Sequence, residues 1–146
     1  MRKTLLAMTV LAVLLAACAD PAEEAAADPT SEAWLLQAGT LDGADITIVD
    51  GYPITLVFDQ PEGTAGGKSA CNQWFAGYTL SGNELTFSDL GGTLMACVDE
   101  GVMNSETAFL SALGLVEIFT VEGNELNLTG EGVDLLFVVD ESPASS

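Results

Sequence analysis

The 146-residue chain contains no histidine, which removes the commonest general base and the commonest zinc or copper ligand together. No Ser-His-Asp or Cys-His site can be built from it. Basic residues are nearly as scarce, three against 22 acidic ones, and so acidic a chain is repelled by nucleic acid and by anionic lipid surfaces. Neither is an expected partner. Carboxylates are plentiful, but Asp42, Asp45 and Asp50, and the neighbours Asp99 and Glu100, read as solvated loop acids or as acids favoured at a helix start. The segment Asp42-Gly43-Ala44-Asp45 lacks the alternating oxygen ligands and terminal Glu of a calcium loop. Gly63-Thr64-Ala65-Gly66-Gly67-Lys68-Ser69 is one residue short of a nucleotide-binding loop and lacks its flanking strand and helix, so it reads as a hairpin connection. No catalytic residue, metal or cofactor is expected, and an enzyme is disfavoured.

What is present begins with a leader. Arg2 and Lys3 precede an apolar run from Leu5 to Leu15, the length of a signal-peptide core and too short to span a bilayer. The following Leu15-Ala16-Ala17-Cys18 resembles the lipobox of bacterial lipoproteins, in which small residues admit the signal peptidase and the cysteine takes the lipid. That resemblance implies a signal peptide over 1–17 and an acylated Cys18, with palmitate-like chains giving stable anchorage at about 0.8 kcal/mol per buried CH2. Loss of the leader leaves Lys68 as the only cation. After Cys18, from Ala19 to about Ser31, the chain is Ala, Asp, Glu, Pro, Thr and Ser with no large apolar residue, which predicts a lipidated cysteine and disordered tether over 18–31. Ala19 follows the cysteine where an Asp would favour inner-membrane retention. The expected location is therefore the cell envelope, on the outer membrane facing the periplasm in a cell with two membranes.

Residues 32–140 carry strand patterns and are expected to form one domain of roughly 110 residues, followed by a polar tail over 141–146. Strands are expected at Ala33 to Gln37, Ile46 to Val49, Ile54 to Asp59, Gly67 to Cys71 and Val133 to Val139. Two hairpins turn at Gly82-Asn83 and Gly123-Asn124, pairing Leu80 with Leu85, Tyr78 with Phe87, Val121 with Leu126 and Phe119 with Leu128. One helix, from about Glu100 to Leu113, has Asp99 as its expected cap and ends at Gly114. The fold class this predicts is α+β, a largely antiparallel sheet of six to eight strands with one helix packed on it.

Two segments, Ser69-Ala70-Cys71-Asn72-Gln73-Trp74-Phe75-Ala76-Gly77-Tyr78 and Leu94-Met95-Ala96-Cys97, resemble the two signatures of the META domain, the HslJ-like family of bacterial envelope proteins. The likeness extends from Trp34-x-Leu36 through the helix ending Ala108-Phe109-Leu110-Ser111-Ala112-Leu113 to the closing hairpins. Ala70 stands where the family usually has Gly. The resemblance implies an antiparallel α+β domain, often lipid-anchored and linked in various members to heat shock, motility or novobiocin resistance. It supplies no catalytic residue.

With Cys18 lipidated, Cys71 and Cys97 remain in an oxidising compartment and are expected to form a disulfide. Two buried free thiols or a redox pair are the alternatives, the last disfavoured by the wide spacing. Asn72 reads as a turn residue bonded to its own backbone. Trp74 and Phe75 are adjacent aromatics that cannot share one face of a strand. Either one is exposed as a contact site or both cover an end of the core. These readings together describe a monomeric, noncatalytic envelope lipoprotein with a binding or stress-response role, anchored to the membrane by lipid and able to meet an envelope protein partner. The alternative is an inhibitor or accessory subunit of a basic envelope protein or cell-wall enzyme.

Overall fold

Alternation of large apolar with polar residues, broken by glycine turns, produces nine antiparallel strands and one helix in the computed structural model, which describes residues 27–142. The leader, Cys18, most of the tether and the end of the tail lie outside the described residues. The strands are β1 (Trp34–Leu41), β2 (Ala44–Asp45), β3 (Thr55–Asp59), β4 (Thr64–Lys68), β5 (Gln73–Ser81), β6 (Glu84–Gly92), β7 (Val116–Glu122), β8 (Glu125–Gly130) and β9 (Val133–Val139), with helix α1 (Val102–Leu113) between β6 and β7. Each strand from β3 to β8 pairs with the next. β1 pairs with both β3 and β9, so eight strands close into a barrel, while β2 only extends the end of β1.

Closure corrects the expected α+β sheet of six to eight strands with one helix packed on it: the structure is a closed eight-stranded barrel. The alternating pattern specifies which side of a strand is buried but not whether the first and last strands meet. Here β1 is long enough to serve two neighbours. It meets β3 at Trp34–Leu56 and Leu35–Thr55, and runs along β9 from Trp34–Val139 to Leu41–Val133 with a bulge between Leu36 and Ala38. Further bulges fall between Phe75 and Gly77 and between Val116 and Ile118; such irregularities bend strands around a barrel. The β6–β7 junction is narrow, a single paired position at Glu84–Ile118 with one more hydrogen bond from Phe119 N to Asn83 O at 2.9 Å.

Both hairpins form in the expected register, with Gly82 and Gly123 at φ 61°, where glycine costs little. Asp42-Gly43 makes a third tight turn, joining β1 to β2 with φ 51° and 79°. Three segments depart from expectation, the first being Gly67 to Cys71, where the strand ends at Lys68 and a loop follows. Ile46 to Val49 forms no strand, although Ile46 is buried. The glycine-rich stretch from Thr64 is a strand rather than a connection. Its glycines let backbones approach closely, since a Cβ on Gly67 would lie 2.2 Å from Thr55 O.

An eight-stranded barrel is just wide enough for side chains to fill, and Trp34, Leu36, Leu56, Trp74, Leu85, Phe119, Leu126, Leu128, Leu135 and Phe137 are buried within it. The helix closes this core with one face: Val102, Ser105, Glu106, Phe109, Ala112 and Leu113 are its buried residues. Phe109 packs edge-on against Trp74 at 5.8 Å and Phe137 at 6.5 Å between ring centroids. Gly114 ends the helix as expected, but Gly101, at φ 83°, occupies the N-cap instead of Asp99. Before β1, Pro29–Ser31 forms a 3-10 turn with Pro29 buried, and the Trp34 indole donates to Pro29 O at 2.7 Å. Folding thus starts before the expected end of the tether. Asp28 caps the turn, and bonds from the Thr30 hydroxyl and N–H hold its carboxyl below the usual range.

Candidate functional site

The two sequence signatures meet at the end of the barrel where β4 passes to β5 and β6 passes to α1. Ser69 to Asn72 make a tight loop in which Ser69 N and Oγ both approach Asn72 O, at 2.8 and 3.0 Å. Ala70 lies within it at φ 78°, a left-handed conformation strained for any residue with a Cβ. This is a physical reason for glycine at the position.

Glu106 reaches into this loop from the helix. Its Oε2 accepts from Asn72 N at 2.7 Å and from Ser69 Oγ at 2.8 Å, and its Oε1 accepts from Asn72 Nδ2 at 2.7 Å. A carboxylate is an acceptor only, and three neutral donors make its burial tolerable without a cation. Asn72 then grips the other signature: its Oδ1 accepts from Met95 N at 2.7 Å and Thr93 Oγ1 at 2.8 Å, and its Nδ2 also donates to Met95 O at 3.1 Å. The local turn role expected of Asn72 is therefore corrected. It is a long-range clamp joining the β4–β5 loop, the β6–α1 loop and the helix. Ser69 is fully buried, so its hydroxyl is spent within the clamp and offers no nucleophile to solvent.

The disulfide between Cys71 and Cys97 is present, with Cα atoms 5.9 Å apart. Together with Asn72 it holds the chain at Thr93, Met95 and Cys97, and the side chains of Leu94, Met95 and Val98 are left exposed. Leu94 and Val98 are each 97 % exposed and Met95 59 %. The Tyr52 hydroxyl donates to Asp99 just beyond, a bond that raises the Tyr52 pKa. Replacing both Cys71 and Cys97 with Ser is expected to destabilise the domain by about 3.5 kcal/mol in the chain-entropy description of a cross-link over 26 residues. A urea midpoint unchanged from the parent would show that the hydrogen-bond clamp alone holds the loop.

Trp74 and Phe75 are separated by the strand rather than joined into one site. Trp74 points into the barrel at 2 % exposure, and its indole donates to Thr55 O at 3.0 Å. Phe75 lies on the outer wall, 58 % exposed, with its ring over Gly91, where a Cβ would come within 2.8 Å. The sequence reading missed the outward Leu94 and Val98 and did not single out Glu106. The signal for Glu106 was available: it falls four residues after Val102 and three before Phe109, on the apolar stripe of the helix. Beside it, Ser105 Oγ is the one buried side-chain polar atom without a partner among the described residues. Ser105→Ala should therefore raise stability by about 1 kcal/mol, through the removed desolvation cost and better helix propensity, measurable as a higher melting temperature.

The model of the META domain family matches residues 27–142. Among solved structures the chain is similar to the NMR structure of a protein from Burkholderia xenovorans, at 32 % identity and TM-score 0.64 over 75 % of this chain and 82 % of that one. It shares its fold with a second protein solved by NMR, at 21 % identity and TM-score 0.56 over 75 % and 90 % of the two chains. No curated protein matches.

Proposed function

The chain belongs to the META domain family, and from that premise we propose that it is a noncatalytic, lipid-anchored envelope domain that works by binding, in the stress-linked setting that the HslJ-like resemblance implies. The observation that carries this reading is the loop of the second signature, which is pinned by the disulfide and by Asn72 and presents Leu94, Met95 and Val98 to solvent. Meanwhile the polar groups beside it, Ser69, Asn72 and Glu106, are consumed by one another. A site organised for chemistry would leave a buried polar group aimed at an open pocket. This one commits its polar groups to holding apolar residues outward.

Anchorage is supported by the lipobox-like Leu15-Ala16-Ala17-Cys18, and mass spectrometry of the purified protein should find acylated Cys18 as its first residue. An unmodified terminus elsewhere would refute the anchor. Binding is tested by placing a photoreactive residue at position 94 of the full chain in cells. Specific adducts from position 94, absent from a control position on the β8 surface, are expected. Equal capture from both would reject the loop as the contact. The charge favours one variant of this reading, an accessory or inhibitory subunit for a basic envelope protein or cell-wall enzyme, whose association should weaken steeply with salt.

A further inference from the structure

The exposed apolar loop lies at the far end of the barrel from the place where the chain joins the fold. Asp28 and Thr30 bond to Gln60 in the β3–β4 turn, and with Pro29 they line a surface cavity with Tyr78 and Leu80 of β5. The loop is bonded instead to Asn72 and Gln73 at the start of β5. From Gln73 to Tyr78 the strand advances five residues, about 17 Å at 3.3 Å per residue. Leu94 and Val98 therefore lie at the opposite end of the barrel from the point where Asp28 to Thr30 join it.

The surroundings of the loop define what can cover it. Asp99 and Glu100 follow it directly, and both are exposed. Asp50 is also exposed, in the loop whose Val49 approaches Gly101. The single nearby cation is Lys68, across from Gln73 at the end of β4. Acids flanking apolar knobs oppose contact with an anionic bilayer and also oppose self-association of so acidic a chain. They complement an apolar recess walled by basic residues. Exposed aliphatic residues on a loop already fixed by a disulfide and by hydrogen bonds lose little entropy on docking.

We infer that Leu94, Met95 and Val98 form a preorganised plug that inserts into an apolar cleft rimmed by Lys or Arg on a partner protein. This inference rests on the binding reading above and names the contact and its chemistry. The test pans a phage-displayed library of random dodecapeptides on the full-length lipidated protein in detergent micelles at low salt. Selected peptides should combine Lys or Arg with large aliphatic or aromatic residues. They should bind at least tenfold more weakly to a Leu94→Ser, Val98→Ser double variant, and more weakly to Asp99→Asn, Glu100→Gln. Both variants change exposed side chains, and unchanged melting temperatures would confirm that they fold.

Peptides without an excess of basic residues, equal binding to the Leu94 and Val98 variant, or no enrichment would each overturn the inference. So would dimerisation abolished by the same two substitutions, since that names a different occupant. If photoadducts form from position 94 in cells while the panning fails, the binding module stands and only the cationic cleft falls.

Discussion

Trp74→Ala should destabilise the domain by about 4 kcal/mol, whereas Phe75→Ala, one residue along, should cost only about 0.5 kcal/mol. Trp74 has its ring between Phe87 and Phe109, at 6.0 and 5.8 Å, and its truncation leaves a cavity in the barrel and strands Thr55 O without the indole donor. That loss is comparable with the whole stability of a marginal domain. Phe75 forfeits only a half-exposed ring lying across Gly91. Urea denaturation of the two variants gives both numbers in one experiment, and similar midpoints would contradict the inward and outward assignment. The contrast also bears on any binding assay, because a Trp74 variant that binds nothing has lost its fold before it has lost a contact.

Glu106→Ala is expected to cost about 3 kcal/mol. The substitution leaves Asn72 N–H and Nδ2 without their acceptor inside the protein, at about 1 to 3 kcal/mol for each stranded donor. Glu106→Gln keeps the size of the side chain yet is expected to cost about 2 kcal/mol, because whichever way its amide turns, an NH2 faces an Asn72 donor. A double-mutant cycle of Glu106→Ala with Asn72→Ala should show coupling of about 1 to 3 kcal/mol. Additive losses would mean that the two side chains are held independently and that the clamp is only apparent.

How much of this the sequence discloses depends on the range of the interaction. The hairpins at Gly82-Asn83 and Gly123-Asn124 were legible to the residue because turn chemistry and two-residue alternation are local. So was the end of the helix at Gly114. Closure was not, since the pairing of Trp34 with Val139 depends on strand tilt and bulges that no local pattern carries. The strand at Thr64–Lys68 was hidden for the opposite reason: glycines disfavour a strand locally and are retained here by the closeness of neighbouring backbones. At the site, Cys71 and Cys97 were visible as a pair, while Asn72 showed only its turn-forming character. Its partners Met95 and Glu106 lie 23 and 34 positions away. The helix start was misplaced by two residues because Asp99 looked like a cap, whereas its carboxylate receives the Tyr52 hydroxyl.

The narrow junction between β6 and β7, one paired position wide, has a counterpart in the two-residue pairing of β1 with β3. Between them the barrel divides into two leaves of four strands, β3 to β6 and β7 to β9 with β1. The helix straddles the division, gripping the first leaf through Glu106 and the second through the contact of Phe109 with Phe137. Loosening the helix would therefore free the leaves to part like a hinged case. In hydrogen exchange, the amide of Phe119 at one seam and that of Leu36 at the other should lose protection together in Glu106→Ala, ahead of amides within either leaf.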